Sequence, residues 1–521
     1  MSTVRDWYMP QLLGLDFGTT NIKAVVFSED GRILSQASNP TPIHHEGHLR
    51  AVHHAEEMWQ AAATTIGQAV GKLADNRIDG LAISSLAESV VPLDADGRPL
   101  YPVIAWFDDR TIPQRDWWRE QLGAVRIFRI CGAHLDHIFS INKMMWIRDH
   151  APDAFRRTVR WLGVNDYLGY RLTGEQMTNP SIASRTMAFD VAARDWSQTM
   201  LELADIPLEQ MPPVRESGSL VGQVTRLAAE ETGLPAGTPV FLGGHDHLCG
   251  ALAAGVVAPG PVLNSLGTTE VLLVAMNRFD PQGEDPEQQG FSHGCHVVPG
   301  KYYAFGGVRG AGHVTEWLRQ LLGQRLAGDD ASLPDVYRAM TEAGMAAPRG
   351  AKGLFVLPFI AGGRPHRDAE ALGVFFGLRT THTAGDIIRA TYEGLSYELR
   401  YSIGLLETFS GHPIQRLTGI GGGTRNELWL RVKADITGRP IDLPTLTENA
   451  ALGAALLAGL GSGVYRDVND ATRRVHRLER TIEPDPAAHE QYRRWYEQVY
   501  LPLYPQLRAS FFAAARLFPE E

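Results

Sequence analysis

Short apolar runs, each closed by a turn, open the chain. Leu12 to Asp16 is an apolar run ending on an acid, Gly18-Thr19-Thr20 follows as a tight turn, and Ile22 to Phe27 is a second run. Asp30-Gly31 is a signal of the kind that joins hairpin strands, and a third run begins at Ile33. Strand–turn–strand is a β-meander, not the strand–helix–strand start of a dinucleotide-binding fold. Helical spacing takes over from Ala55 to Leu73, and Gly80 to Ser84 reads as another strand. The alternation continues along the chain, which predicts an α/β architecture.

The second half begins as the first does. Residues 13–26 read Leu-Gly-Leu-Asp-Phe-Gly-Thr-Thr-Asn-Ile-Lys-Ala-Val-Val, and residues 262–275 read Val-Leu-Asn-Ser-Leu-Gly-Thr-Thr-Glu-Val-Leu-Leu-Val-Ala. Both are strand, Gly-Thr-Thr turn, strand. Internal repetition of this kind predicts two related α/β domains, 1–256 and 257–521, with a cleft between them. Pro259, Gly260 and Pro261 sit where such a boundary belongs. Further on, Thr383 to Leu406 has helical spacing, with Thr383 and Asp386 as an approximate capping box. Ala450 to Leu457 reads as a short helix of small residues with Asn449 as its N-cap. The tail from Ala487 is amphipathic and aromatic, through Tyr492, Trp495, Tyr496 and Tyr500, and is expected to dock on the second domain and close it.

Composition narrows the class. At 521 residues the chain is too long for one ordinary core. Forty-nine basic against 59 acidic residues leave a net charge of −10 with no Lys/Arg-rich run, so nucleic acid is not an expected partner. Small anions can still be held locally by backbone N–H groups. The three cysteines, Cys131, Cys249 and Cys295, are widely spaced and point to a reducing compartment. With neither a signal-peptide core nor an apolar stretch of membrane-spanning length, the expected location is cytoplasmic. For assembly, a homodimer is the common default.

Candidate chemistry gathers at glycine-rich turns. A Gly-Thr-Thr turn lets the backbone approach an anion and offers hydroxyl and N–H donors to phosphate oxygens, although an ordinary hairpin turn has the same composition. Two copies heading two halves favour a phosphate held from both sides. The copies differ where Asp16 faces Ser265, and a nucleotide site needs one carboxylate to hold Mg²⁺, so Asp16 is the metal-side candidate. Asp246, after Gly243-Gly244-His245, lies at a strand-to-helix junction, where ligands of α/β folds gather. It reads either as an N-cap or as the base that orients a hydroxyl for phosphoryl transfer. His245, His247 and the His293-Gly-Cys295-His296 run include metal-ligand types but have no second ligand pair at zinc spacing. Gly421-Gly422-Gly423 forms a third glycine turn, while the Walker pattern and a strand-borne G-x-G-x-x-G are absent.

Taken together these segments resemble the FGGY carbohydrate kinases, members of the wider actin, hexokinase and Hsp70 ATPase superfamily. The resemblance runs from Leu12 to about Tyr465. Gly14-Leu-Asp16-Phe-Gly-Thr-Thr20 is similar to the first phosphate loop and Asn264-Ser-Leu-Gly-Thr-Thr269 to the second. Gly243-Gly-His-Asp246 resembles the catalytic segment, and Gly421-Gly-Gly-Thr-Arg-Asn426 with Ala450-Ala-Leu-Gly-Ala454 the adenosine-binding segment. Gly373 to Leu378 followed by Asp386 and Ala390 to Glu393 matches the C-terminal signature. Ser140 to His150 matches the N-terminal one except at Ile138.

The resemblance implies two actin-like (ribonuclease H-like) domains hinged over a cleft, and ATP-dependent phosphorylation of a sugar hydroxyl with Asp246 as base. Glu88, Trp106, Asp108 and Asp246 would contact the sugar. Gly18, Thr19, Thr20, Gly267, Thr268, Thr269, Gly422, Gly423 and Asn426 would contact ATP, with Mg²⁺ near Asp16. Ala87 stands where glycerol kinases carry an arginine, which disfavours glycerol. Glu88 and Asp108 suit a neutral substrate better than a sugar acid. The expectation is therefore a ketopentose or related sugar, a xylulokinase-like preference. Kinases for other polyols or sugar acids, or a non-catalytic sugar- and ATP-binding switch, are the alternatives. A dehydrogenase is disfavoured because Gly459-Leu-Gly-Ser-Gly463 does not follow a strand.

Overall fold

The computed structural model describes residues 9–518 apart from positions 48, 268, 281–289, 309, 329, 362–370 and 446–447. The opening runs form the predicted meander: β1 (Gln11–Phe17), β2 (Asn21–Ser28) and β3 (Ile33–Pro40) pair antiparallel in sequence. The helix expected next, α1 (Ala55–Val70), ends three residues early, at Gly71. Strand β4 (Gly80–Ser85) then lies parallel to β1, and β5 (Leu220–Gln223) and β6 (Pro239–His245) complete a six-stranded sheet in the order β5-β6-β4-β1-β2-β3. Along β1 and β2 most positions are buried, as expected of strands covered on both faces.

The second half repeats this plan. Strands β7 (Pro261–Leu266), β8 (Glu270–Met276), β9 (Ser292–Cys295) and β10 (Tyr302–Val308) form the meander side. Strands β11 (Arg416–Ile420), β12 (Ile441–Pro444) and β13 (Leu478–Ile482) continue beyond β7, giving the order β9-β10-β8-β7-β11-β12-β13. In both sheets a first strand pairs antiparallel with the next strand on one side and parallel with a later strand on the other. Each sheet ends beyond its parallel strands in an antiparallel edge strand, β5 or β13. The Gly-Thr-Thr turns occupy equivalent places in this duplicated topology. The architecture is two actin-like α/β domains.

Two helices of small residues join the halves. Helix α2 (Ser140–His150) lies outside this joint, in the first half. Helix α3 (Asp246–Ala253) follows β6 directly. Helix α4 (Ala384–Ser410) has the expected capping box at Thr383 and Asp386 and runs four residues past the expected end. Helix α5 (Glu427–Thr437) follows the triple glycine, and α6 (Asn449–Gly461) lies against both α3 and the first sheet. A Cβ on Gly14 would stand 1.8 Å from the Ala451 carbonyl oxygen, and one on Gly453 1.9 Å from that of Cys249. Only glycine admits such close approach. The resulting core draws Leu12, Ala82 and Phe241 from the first sheet, Leu263 and Leu273 from the second, and Leu252 and Leu456 from the two helices. Burying each such leucine contributes roughly 1.5–3 kcal/mol.

One expected cap is corrected. Asn449 is the first residue of α6, not its cap; the cap is Glu448, which makes no side-chain capping bond. Glu448 instead accepts a 2.7 Å salt bridge from Lys23 of β2, tying the start of α6 to the first domain. The aromatic tail docks as expected. Helix α7 (Pro486–Trp495), the π-helical turn Tyr496–Tyr500 and helix α8 (Leu501–Leu517) place Tyr492, Tyr496, Tyr500 and Tyr504 in the core of the second domain. Tyr492 donates to Glu393 at 2.6 Å and Tyr500 to Glu398 at 2.8 Å, both on α4. Among the described residues no helix is long and apolar enough to cross a membrane.

Candidate active site

Three parallel strands of the first sheet, β1, β4 and β6, end side by side, with Asp16 opposite Ser84 and His245 opposite Ser85. Ligands of α/β folds bind at such carboxyl edges. Asp16 is the penultimate residue of β1, Glu88 lies three residues past β4, and Asp246 opens α3 straight after β6. The two glycines before His245 are required by crowding. A Cβ on Gly243 would stand 1.9 Å from the Ile83 carbonyl oxygen, and one on Gly244 2.4 Å from Val297. The register of β6 shifts over these residues, turning the chain so that His245 caps the helix and Asp246 becomes its first residue. Asp246 is therefore not the N-cap. Its place in the first turn still sets its carboxylate against the positive end of the helix.

Asp246 retains 27% side-chain exposure and accepts a 2.6 Å bond from the His247 backbone N–H. Burial pushes its pKa up to about 7, against that hydrogen bond, while Glu88 adds repulsion and Arg185 partly offsets it. His245 Nε2 lies 3.2 Å from Asp246 Oδ1, and its Nδ1 is buried without a hydrogen bond. Burial lowers the pKa of His245 far below the usual range and that of His247 to about 4. Both rings are thus neutral beside the carboxylate. His293 and His296 lie elsewhere. The first sits 4.1 Å from the Phe409 ring, and the second accepts from the Val298 N–H through Nδ1.

Asp16 is likewise raised to about 7, first by burial and then by Asp246. Its Oδ1 is buried and has no hydrogen-bond partner. An orphaned carboxylate oxygen is the ligand type Mg²⁺ takes, so Asp16 would suit it as a single ligand; among the described residues no group of three metal-ligating side chains gathers. In the first turn the Thr41 hydroxyl donates to the Gly18 carbonyl at 2.7 Å and the Thr41 N–H to that of Thr20 at 3.0 Å, leaving Thr19 and Thr20 exposed. Trp106 Nε1 donates to the Thr19 hydroxyl at 3.1 Å, so an expected sugar contact and an expected phosphate contact adjoin.

In the second turn Gly267 and Thr269 are exposed, and Thr268 lies outside the described residues. Beneath it is a buried polar cluster. Lys433 Nζ lies 2.5 Å from Glu270 and 3.1 Å from Asn264 Oδ1, and Asn264 donates to Glu270 at 2.8 Å. Gly421, at φ 91°, passes so close to Leu266 that a Cβ would stand 2.7 Å from its carbonyl oxygen. This packing brings Gly422 and Gly423 beside the second turn. Asn426 caps α5 by accepting from the Trp429 N–H at 3.0 Å, and donates to the Tyr392 hydroxyl at 2.8 Å.

Asp108 is placed differently from the expectation. Its side chain is 0% exposed. Its two oxygens accept from the Ala51 N–H at 2.8 Å and from Arg110 through Nε at 2.7 Å and Nη2 at 2.8 Å. Asp108 holds the loop carrying Trp106 and does not present its carboxylate to a sugar. Lys143 of α2 acts on the same loop. It is fully buried, with its pKa pulled down to about 8 by burial, and donates to the carbonyls of Ile138 and Trp106. Ile138, where the N-terminal signature lapses, contributes only its backbone to this contact. Sequence reading missed Arg185 altogether. Its Nε donates to Glu88 Oε1 at 2.6 Å across 97 residues, and no spacing rule connects the two.

Comparison with known proteins agrees with this arrangement. The N-terminal domain model of the FGGY family of carbohydrate kinases matches residues 11–253 and the C-terminal domain model residues 262–462. Xylulose kinase of Staphylococcus epidermidis is 30% identical over 505 residues, covering 95% of this chain and 97% of its own. That of Escherichia coli is 30% identical over 498 residues, covering 95% and 99%. The crystal structure of xylulose kinase from Rhodospirillum rubrum superposes with a TM-score of 0.88 at 30% identity, covering 96% of this chain and 100% of that one. With paired strand ends, two glycine-threonine turns and both family domains in register, the chain belongs to the FGGY family of carbohydrate kinases and is an ATP-dependent sugar kinase.

Proposed function

We propose that the protein phosphorylates a ketopentose, with Asp246 accepting the proton of the attacked hydroxyl. The observation carrying this reading is the Asp246 carboxylate at the carboxyl edge of β6, partly wetted and poised near pH 7. In the step itself, the sugar oxygen bonds to the γ-phosphorus as the bond to the β–γ bridging oxygen breaks. The hydroxyl proton passes to Asp246 and then to solvent, and ADP leaves. The transition state is loose, so Asp246 chiefly orients the hydroxyl and removes its proton late. Glu88 and Trp106 line the sugar side. Gly18, Thr19, Thr20, Gly267 and Thr269 line the phosphates, and Gly422, Gly423 and Asn426 the adenosine. Asp16 would hold Mg²⁺, which when bound neutralises phosphate charge.

The ketopentose preference rests on the two relatives named xylulose kinase, each 30% identical over 95% of this chain. The division at 256/257 separates a mainly sugar-binding from a mainly nucleotide-binding domain, and closure of the two excludes water from the transfer. ATP dependence and three buried free cysteines suit a cytoplasmic enzyme. The net charge of −10 suits small-molecule partners over nucleic acid. The test is an ADP-release screen over pentuloses, hexuloses, polyols and aldonates. Fastest turnover with a pentulose is expected. Preference for an aldonate would replace the substrate assignment, and absence of sugar-dependent ADP release would overturn the reading.

A further inference from the structure

Arg185 is a charged group of this cleft to which the mechanism gives no task. It follows the short helix Pro180–Ala183, and its side chain is 5% exposed against 7% for Glu88. Both Nε and Nη2 converge on a single oxygen, Glu88 Oε1. A guanidinium has five N–H groups; Glu88 takes two and the Tyr303 hydroxyl lies beside another, which leaves donors for a ligand. The guanidinium is gripped between two rings, 5.1 Å from the centre of Phe139 and 5.5 Å from that of Phe305. Phe305 comes from β10 of the other domain and lies 5.2 Å from His247 and 6.2 Å from His245, the neighbours of Asp246. Glu88 itself sits in left-handed backbone at φ 65°, a strained conformation for a side-chain-bearing residue.

Fold stability alone does not account for this arrangement. A desolvated ion pair is often no better for stability than apolar side chains of the same volume, and the backbone strain at Glu88 adds a cost. A rigid, aromatic-clamped donor and acceptor pair does suit recognition, where prior ordering lowers the entropy lost on binding. We infer that Arg185 and Glu88 together are the specificity-determining pair of the sugar cleft, selecting an uncharged ketose or polyol over a sugar acid. Arg185 donates to a carbonyl or hydroxyl oxygen of the sugar, and Glu88 accepts from an adjacent hydroxyl. Because Glu88 already neutralises the guanidinium, a substrate carboxylate meets the negative charges of Glu88 and Asp246 with Arg185 already paired. This inference rests on the reading that Asp246 faces the sugar.

The test compares steady-state ADP release with a ketopentose and with an aldonate for wild type, Arg185→Lys, Arg185→Met and Glu88→Gln. Lysine keeps the charge but loses the planar fork, so Arg185→Lys should raise the ketopentose KM about tenfold or more while leaving the ATP KM within about twofold. Glu88→Gln is isosteric and uncovers the cation, so it should raise the aldonate-to-ketopentose ratio of kcat/KM by about tenfold or more. Arg185→Met tests the loss of charge, and its melting curve shows whether it folds. If it does not, the other two variants still decide the matter. The inference is overturned if wild type is active and Arg185→Lys and Glu88→Gln both keep the ketopentose KM and the substrate ratio within about twofold, or if kcat alone falls. Wild type without sugar-dependent ADP release would instead sink the kinase reading.

Discussion

Replacing Lys433 by methionine tests how the second phosphate turn is held. Lys433 and Glu270 are both 0% exposed, and the ammonium also lies 4.4 Å from the centre of the Trp429 ring. Removing the cation leaves Glu270 buried and charged without its partner, a loss of about 3–5 kcal/mol. At roughly 2–4 °C per kcal/mol for a domain of this size, the melting temperature should fall by roughly 6–20 °C. Replacing the pair by Lys433→Met with Glu270→Gln should behave otherwise. Burial outweighs the attraction of Glu270, so the pKa of Lys433 lies below the ordinary lysine value. The intact pair therefore adds little net stability, and the double variant should recover most of the loss. Because Asn264 and Glu270 sit on the two strands flanking the turn, the single variant should also raise the ATP KM. Differential scanning fluorimetry of both singles and the double, with ATP titrations, provides the readout. A single variant melting within about 2 °C of wild type, or a double variant as unstable as the single, would refute the reasoning.

Four other outcomes follow from named contacts. Gly14→Ala should destabilise by about 1–3 kcal/mol, because its methyl group meets the Ala451 carbonyl where α6 docks, and a melting curve checks this. Tyr492→Phe removes the hydroxyl that donates to Glu393 and accepts from Arg389 at 3.2 Å, so denaturant unfolding should show a loss of about 1–3 kcal/mol. With Asp246 and Asp16 both raised to about 7, kcat/KM for the sugar should fall as the pH drops below about 7. Ligand-free stability moves in the opposite sense. A carboxylate with a raised folded pKa contributes stability that is complete below its unfolded value of about 4 and is lost as pH rises through the folded value. Melting temperatures across that window should decline less in Asp16→Asn and Asp246→Asn than in wild type.

Patterns repeated in sequence were the ones legible in advance. The strand–turn–strand openings at Leu12 and Val262 led directly to duplicated sheets, because adjacent hairpins are decided by local turn chemistry. The capping box at Thr383 and Asp386 is local in the same way and is present as read. Features that depend on distant partners were not legible. Asn449 looked like a cap from its neighbours, but Glu448 takes that place through a salt bridge to Lys23, 425 residues away. Asp108 looked like a sugar contact beside Trp106, until folding brought the Ala51 N–H and the Arg110 fork onto its oxygens. Arg185 carried no signal because its meaning comes from Glu88, Phe139 and Phe305, which arrive from three other segments and two domains.

Asp246→Asn tests the central claim most directly, by sugar-dependent ADP release from protein shown to melt and to bind ATP as wild type does. Asparagine keeps the shape of the side chain and the bond from the His247 N–H but cannot take the hydroxyl proton. The account predicts a loss of about 10²–10⁴-fold in kcat. Turnover near that of wild type would contradict it.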